Sequence, residues 1–238
     1  ATDTPAFATD LIATQTLHNV RERFKTLFED DSVRQAFTFL VRFAQASGEA
    51  EPAASLGEHG IPFPLDPTPL APVKALRDFL ALRGGEPEYR QLSLAAAADA
   101  LTAWLAGGPA PHPSLFPEAP GFWGRYQRLA TGAGFCELSR LYFSRLTARY
   151  LFYFLDRQAS ISIRDLERRQ QFQNEMARHL DNVSLFAFET SKITQSFAAG
   201  WFTKHAKPDR VNQRNVNGFL SVAFGKLREE LRREEVRQ

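Results

Sequence analysis

From Phe135 to Leu155 the chain is apolar or aromatic around the whole circumference of a helix: Leu138, Leu141, Tyr142, Phe143, Leu146, Tyr150, Leu151, Phe152, Tyr153 and Phe154 leave no polar side. A helix greasy on every side has to be wrapped by other helices or cross a membrane. The longest uninterrupted apolar stretch in the 238 residues is Tyr150 to Leu155. That is far short of a spanning segment, which needs about 20 residues. The run therefore demands helical neighbours.

The rest of the sequence supplies them. Leu17, Val20, Phe24 and Leu27 form one stripe of a 3.6-residue period, interrupted by Glu29-Asp30-Asp31. Ser32 followed by Gln35 fits a capping box, and Phe37, Leu40, Val41 and Ala44 continue as a second stripe up to Gly48. Residues 49–72 read as a linker or ordered loop, because Pro52, Pro62, Pro64, Pro67, Pro69 and Pro72 each remove a backbone donor. Ile61, Phe63 and Leu65 alternate with them, so this stretch is suited to lying on a neighbouring surface as polyproline II. One short helix is expected from Pro72 to Gly84-Gly85, and another from Ser93 as N-cap through Leu94, Ala98, Leu101 and Leu105 to Gly107-Gly108.

Beyond the long apolar run, Ser160 or Ser162 is the expected cap of a helix with Phe172, Met176, Leu180 and Val183 inside. Phe186, Thr190, Ile193, Phe197 and Trp201 then share one face, while Leu185, Phe188 and Phe202 lie opposite. Pro208 breaks that helix. The last one carries Val216, Leu220, Ala223, Leu227 and Leu231 on one stripe. No stretch sustains period-two alternation and no Asn-Gly or Asp-Gly hairpin signal occurs. The expected fold is all-α, a multi-helical bundle of about eight helices with Pro-rich connections in the N-terminal half.

Charge divides the chain. Residues 1–120 hold nine Lys/Arg against fifteen Asp/Glu, and residues 121–238 hold twenty against twelve. The expected organisation is an acidic helical region over 1–120 and a basic, aromatic-rich bundle over 121–238, with one continuous domain as the alternative. A basic surface seeking an acidic partner is one explanation of the asymmetry. Arginine outnumbers lysine 23 to 6, however, and base composition of the gene produces that bias without selection for binding.

Most recognisable chemistry is missing. There is no G-x-x-x-x-G-K-[ST] phosphate loop, no H-E-x-x-H and no G-x-S-x-G. Gly132-Ala133-Gly134 begins like a dinucleotide fingerprint, but Glu137 holds the third required position, so close helix packing is the simpler reading. None of His18, His59, His112, His179 and His205 follows a glutamate by three positions, as a bundle di-metal site requires. His59 and His112 are expected to be solvated. Glu175 and His179 read as a surface pair, and Glu189 with Lys192 as a structural one. The single cysteine, Cys136, excludes an intramolecular disulfide and fits a reducing compartment. Its apolar surroundings are expected to raise its pKa and keep it inert. Asp3 and Asp10, with no basic residue before Arg21, are in the wrong charge order for a secretory signal.

The positive signal is Lys204, His205, Lys207, Arg210 and Arg214 straddling Pro208, followed by Asn212, Gln213, Asn215 and Asn217. Basic residues near a helix start grip phosphates and Asn side chains contact bases. Lys204, Lys207, Arg210, Arg214 and Asn217 are accordingly the candidate nucleic-acid contacts. No catalytic, cofactor-binding or metal-binding residues are assigned. The favoured expectation is a non-enzymatic, cytoplasmic helical subunit of a larger protein assembly, docking a protein partner through apolar helix faces. A nucleic-acid-binding protein using the basic half is the alternative, and a helical enzyme of unrecognised type is the third.

Overall fold

The computed structural model describes residues 27–83, 85–107, 121–162, 192–205 and 211–237, with positions 165, 167, 170, 171 and 174. These residues are all-helical and contain no strand. Seven α-helices follow in order: α1 (Asp31–Ala46), α2 (Pro52–Glu58), α3 (Ala71–Ala81), α4 (Pro87–Gly107), α5 (Gly132–Ser162), α6 (Lys192–His205) and α7 (Gln213–Arg237). Two short 3₁₀ turns, Trp123–Arg125 and Gln127–Ala130, precede α5. The expected stripe Leu17–Phe24 and the core positions Phe172 to Val183 lie outside the described residues.

The most enclosed helix is α1. It packs on α2, α3, α4, α7 and the second 3₁₀ turn, and no residue from Ser32 to Ser47 is fully exposed. Its start differs from the capping box expected at Ser32. Asp30 is the cap, its Oδ1 accepting from Ser32 N at 2.8 Å and Val33 N at 3.4 Å, while Ser32 is buried inside the first turn. A carboxylate one residue earlier satisfies the same free N–H groups and leaves the small serine for the interior.

The apolar helix α5 is bordered by α4, α6 and the second 3₁₀ turn. Phe135, Leu138, Tyr142, Phe143, Leu146, Tyr150 and Leu151 are buried, and Leu141, Phe152 and Phe154 are partly so. The start of α5 explains Gly132-Ala133-Gly134. A Cβ on Gly134 would stand 2.0 Å from the Arg128 carbonyl oxygen, and one on Gly132 3.0 Å from that of Ala199 in α6. These glycines let backbone approach backbone, as the close-packing reading has it.

Three other boundaries differ from expectation. Residues 52–58 form the short helix α2 because Pro52 occupies its first turn, where the missing N–H is harmless. α4 begins at Pro87, so Ser93 is buried in mid-helix and is not a cap. α5 runs through Ser162, which places Ser160 within that helix.

The core joins both halves of the sequence. Phe37 of α1 stacks on Phe219 of α7 at 4.9 Å between ring centroids, and lies 5.3 Å from Phe143 of α5 and 6.5 Å from Trp201 of α6. No described helix is long and apolar enough to cross a membrane.

Candidate interaction surfaces

The sequence-predicted basic cluster falls where α6 ends and α7 begins. Lys204 is exposed in the last turn of α6 and Arg214 is exposed in the first turn of α7. Lys207 and Arg210 lie outside the described residues. Asn217 is partly buried, and its Oδ1 has no hydrogen-bond partner. It is therefore turned further inward than a base-contacting side chain needs.

Local polar chemistry holds this corner. Asn212 Oδ1 accepts from Asn215 N at 3.0 Å and so caps α7. Asn215 Nδ2 lies 3.1 Å from His205 Nδ1, and the His205 ring packs 5.3 Å from that of Trp201. Val211, just before the cap, is buried, and its carbonyl accepts from Arg42 Nη2 of α1 at 2.7 Å.

A second surface lies around the proline-rich chain before α3. Pro62, Phe63, Asp66, Leu70, Lys74 and Ala75 help line a groove of about 550 Å³ between residues 62–70 and α3. Ile61 is buried beneath it, and Phe63 packs 5.9 Å from Phe43 and 5.0 Å from Trp123. The alternation noted in the sequence does lay Ile61 and Phe63 onto the core. Leu65 does not follow: it is 90% exposed, with Leu70 at 74% and Leu82 at 81%. The charged residues on the groove are Asp66, Lys74 and Asp78, and Asp78 also pairs with Arg77 at 3.5 Å. Sequence reasoning identified the strip but not its exposed leucines. The signal was that Leu65 and Leu70 sit among prolines, where no helical stripe can collect them.

A third depression, about 480 Å³, opens between α5 and α6 and is lined by Ala133, Cys136, Glu137, Arg140, Ser196 and Ala199. Cys136 is half-buried, and burial raises its thiol pKa, with Glu137 adding to the rise and Arg140 opposing it. Glu137 is paired with Arg128 at 3.0 Å. The direction matches the sequence expectation, a thiol held away from its reactive anion.

The other titratable shifts also disfavour charge. Burial pushes the Tyr126 hydroxyl up to about 12 against the pull of Arg125, and burial raises Tyr142 as well. Tyr153 is raised chiefly by the 2.7 Å bond it donates to Glu88. Burial likewise lowers Arg83, which lies 3.4 Å over the Phe79 ring. Acid–base catalysis needs neighbouring groups pushed apart, and the resolved shifts among the described residues form no such pair. No group of three or more His, Cys, Asp or Glu able to hold a metal occurs among the described residues. His112, His179, Glu175 and Glu189 lie outside them. His59, expected in solvent, is instead half-buried, with Nε2 3.1 Å from Arg42 Nη1.

Comparison with known proteins yields no relationship: no family model, no curated protein and no solved structure matches the chain.

Proposed function

We propose that this protein is a non-enzymatic helical subunit of a larger, cytoplasmic assembly, and that it docks a partner protein on the groove beside α3. The observation carrying this reading is the location of the uncovered apolar side chains. Of the four large hydrophobic residues that are exposed among the described residues, Leu65, Leu70 and Leu82 border the strip from residue 62 to the end of α3. Among the described residues the aromatic rings, by contrast, fill the interior: Phe37, Phe39, Phe43, Phe135, Phe143, Phe202 and Phe219 are all buried. The docking face thus moves from the long aromatic helices to the proline-rich strip. Burying one exposed leucine fully is worth roughly 1.5–3 kcal/mol, so two at the centre of an interface are enough to govern affinity.

The test replaces both, Leu65→Ser with Leu70→Ser, in a tagged chain captured from nuclease-treated extract of its native host. Helical content and unfolding midpoint should stay unchanged, because neither leucine touches the core. A stoichiometric protein partner should be retained by the native sequence and lost by the variant. Capture of the same partner at the same yield by both would remove this groove as the docking face.

A second reading, a nucleic-acid surface at the α6–α7 corner, is favoured by one observation: Lys204 and Arg214 are both exposed on either side of residues 206–210. Replacing Lys204, Lys207, Arg210 and Arg214 by alanine should weaken binding of a labelled DNA duplex. It should also flatten the salt dependence by about 0.9 in log–log slope per lost phosphate contact. An unchanged slope removes the patch.

A further inference from the structure

Ala133, Cys136, Glu137 and Arg140 recur at i, i+3, i+4 and i+7, so they share one face of α5. Across from them stand Ser196 and Ala199 of α6, and the two sets line the depression of about 480 Å³. Sites for small molecules span roughly 300–1,000 Å³ and combine apolar walls with a few polar groups. Alanine methyl groups supply walls here, and Glu137, Arg140 and Ser196 supply the polar groups.

The two charges are not equally available. Glu137 is held by Arg128, whose Nη2 donates to its Oε2 at 3.0 Å. Arg140 is half-buried, yet among the described residues it has neither an ion pair nor a hydrogen-bond acceptor. Other half-buried arginines are engaged: Arg34 pairs with Asp31, Arg83 donates to the Phe79 carbonyl and Arg90 to that of Gly85. With Glu137 neutralised by Arg128, the charged residues lining the depression leave one positive charge over. A guanidinium presents five N–H donors in a planar fork that fits the edge of a carboxylate or phosphate.

We propose that this depression binds a small organic anion, with the charged end on Arg140 and the apolar body against Ala133 and Ala199. Ser196, which is exposed, adds a hydroxyl donor. The groove beside α3 is built from other residues, so either site can fail without the other.

Cys136, the single cysteine, lies in the same depression and supplies the readout. Its thiolate displaces iodide from iodoacetate or iodoacetamide, forming one C–S bond for each C–I bond broken. The two reagents are close in size, and only iodoacetate carries a carboxylate. Burial and ionisation of the thiol act on both alike and cancel in the ratio of the two rates.

The test uses the full chain at about pH 8.5, near the ordinary thiol value. The ratio of iodoacetate to iodoacetamide rates should stand about tenfold above that of the urea-unfolded chain, the effect of one charge-assisted hydrogen bond. The iodoacetate rate should also level off with concentration, as for a reagent that binds first, and added anions should slow it. Whichever of butyrate and inorganic phosphate slows it at the lower concentration assigns the ligand to the carboxylate or the phosphate class. Arg140→Gln should return the ratio to the unfolded value with helical content unchanged. A native ratio equal to the unfolded one, a ratio unchanged in Arg140→Gln, or a rate linear in iodoacetate overturns the proposal. Should the variant fold poorly, saturation and anion competition in the native chain decide. Should the thiol resist both reagents, butyrate and phosphate titrations of the Arg140 Nε–H NMR signal decide: a saturating shift supports the site, and no shift with either overturns it.

Discussion

Asp30 does two jobs with one carboxylate. Oδ1 caps α1, and Oδ2 accepts from Glu86 N at 3.2 Å, which fixes the start of α4 beside the start of α1. The chain can reach that position because Gly85 has φ +115° and lies against Ser32, whose Oγ would be 2.1 Å from a Cβ there. Removing the carboxylate as Asp30→Ala should cost about 1–2 kcal/mol, the usual value of an N-cap. Asp30→Asn should cost less, since its amide oxygen still accepts from Ser32 N while its NH₂ cannot accept from Glu86 N. Gly85→Ala meets both a forbidden φ and buried backbone, so it should cost about 1–3 kcal/mol or more. Urea unfolding of the three variants orders them. An Asp30→Ala midpoint equal to that of the native chain would show that water caps α1 equally well.

At the scale of elements, α1 holds the fold together, and one residue concentrates that role. Phe37 lies within 6.5 Å, centroid to centroid, of Phe135, Tyr142, Phe143, Trp201 and Phe219. Phe37→Ala should therefore cost about 3–5 kcal/mol, the range for a large buried aromatic. Phe152→Ala, on the partly buried side of α5, should cost clearly less. Comparable losses in the two would put the centre of the core in α5 rather than α1. The sequence made α7 legible, because Val216, Leu220, Ala223 and Leu227 are buried on a single stripe. It made α1 look one-sided. Its second stripe, Ala36, Phe39 and Phe43, is just as buried, but Arg34, Thr38, Arg42 and Gln45 interrupt the pattern. Thr38 turns its hydroxyl back to the Arg34 carbonyl at 2.8 Å and Arg42 reaches Val211. Thr38 and Arg42, satisfied in this way, sit half-buried between the two core stripes, and the pattern of apolar residues does not register them. Of the basic run read in the sequence, Lys204 and Arg214 were legible as exposed residues at the α6–α7 corner. The leucine groove was not, because exposure depends on what the rest of the chain leaves uncovered.

For the whole molecule, the division of charge has an internal counterpart. Where the halves meet, two carboxylates of the acidic half accept from the basic half, Asp99 from Arg149 and Glu88 from Tyr153, while Arg42 donates the other way to the Val211 carbonyl. Both carboxylate sites are substantially solvent-exposed, and such pairs are worth at most about 1 kcal/mol each; they set how α4 lies on α5 more than they hold it there. The apolar contacts do the holding, since Phe37 from the first half is enclosed by rings from the second. We therefore expect that residues 1–120 and 121–238, produced separately, will not unfold cooperatively, because each exposes the core face the other covers. Mixing the two should restore helicity and a sigmoidal urea transition. Raising the salt concentration should barely shift that transition, since screening touches only the surface pairs. A cooperative transition in either fragment alone would instead establish the acidic and basic regions as separate folding units. Under that outcome the Phe37–Phe219 stack would be a docking contact between domains, and the Phe37→Ala loss would appear in association of the fragments rather than in the stability of either.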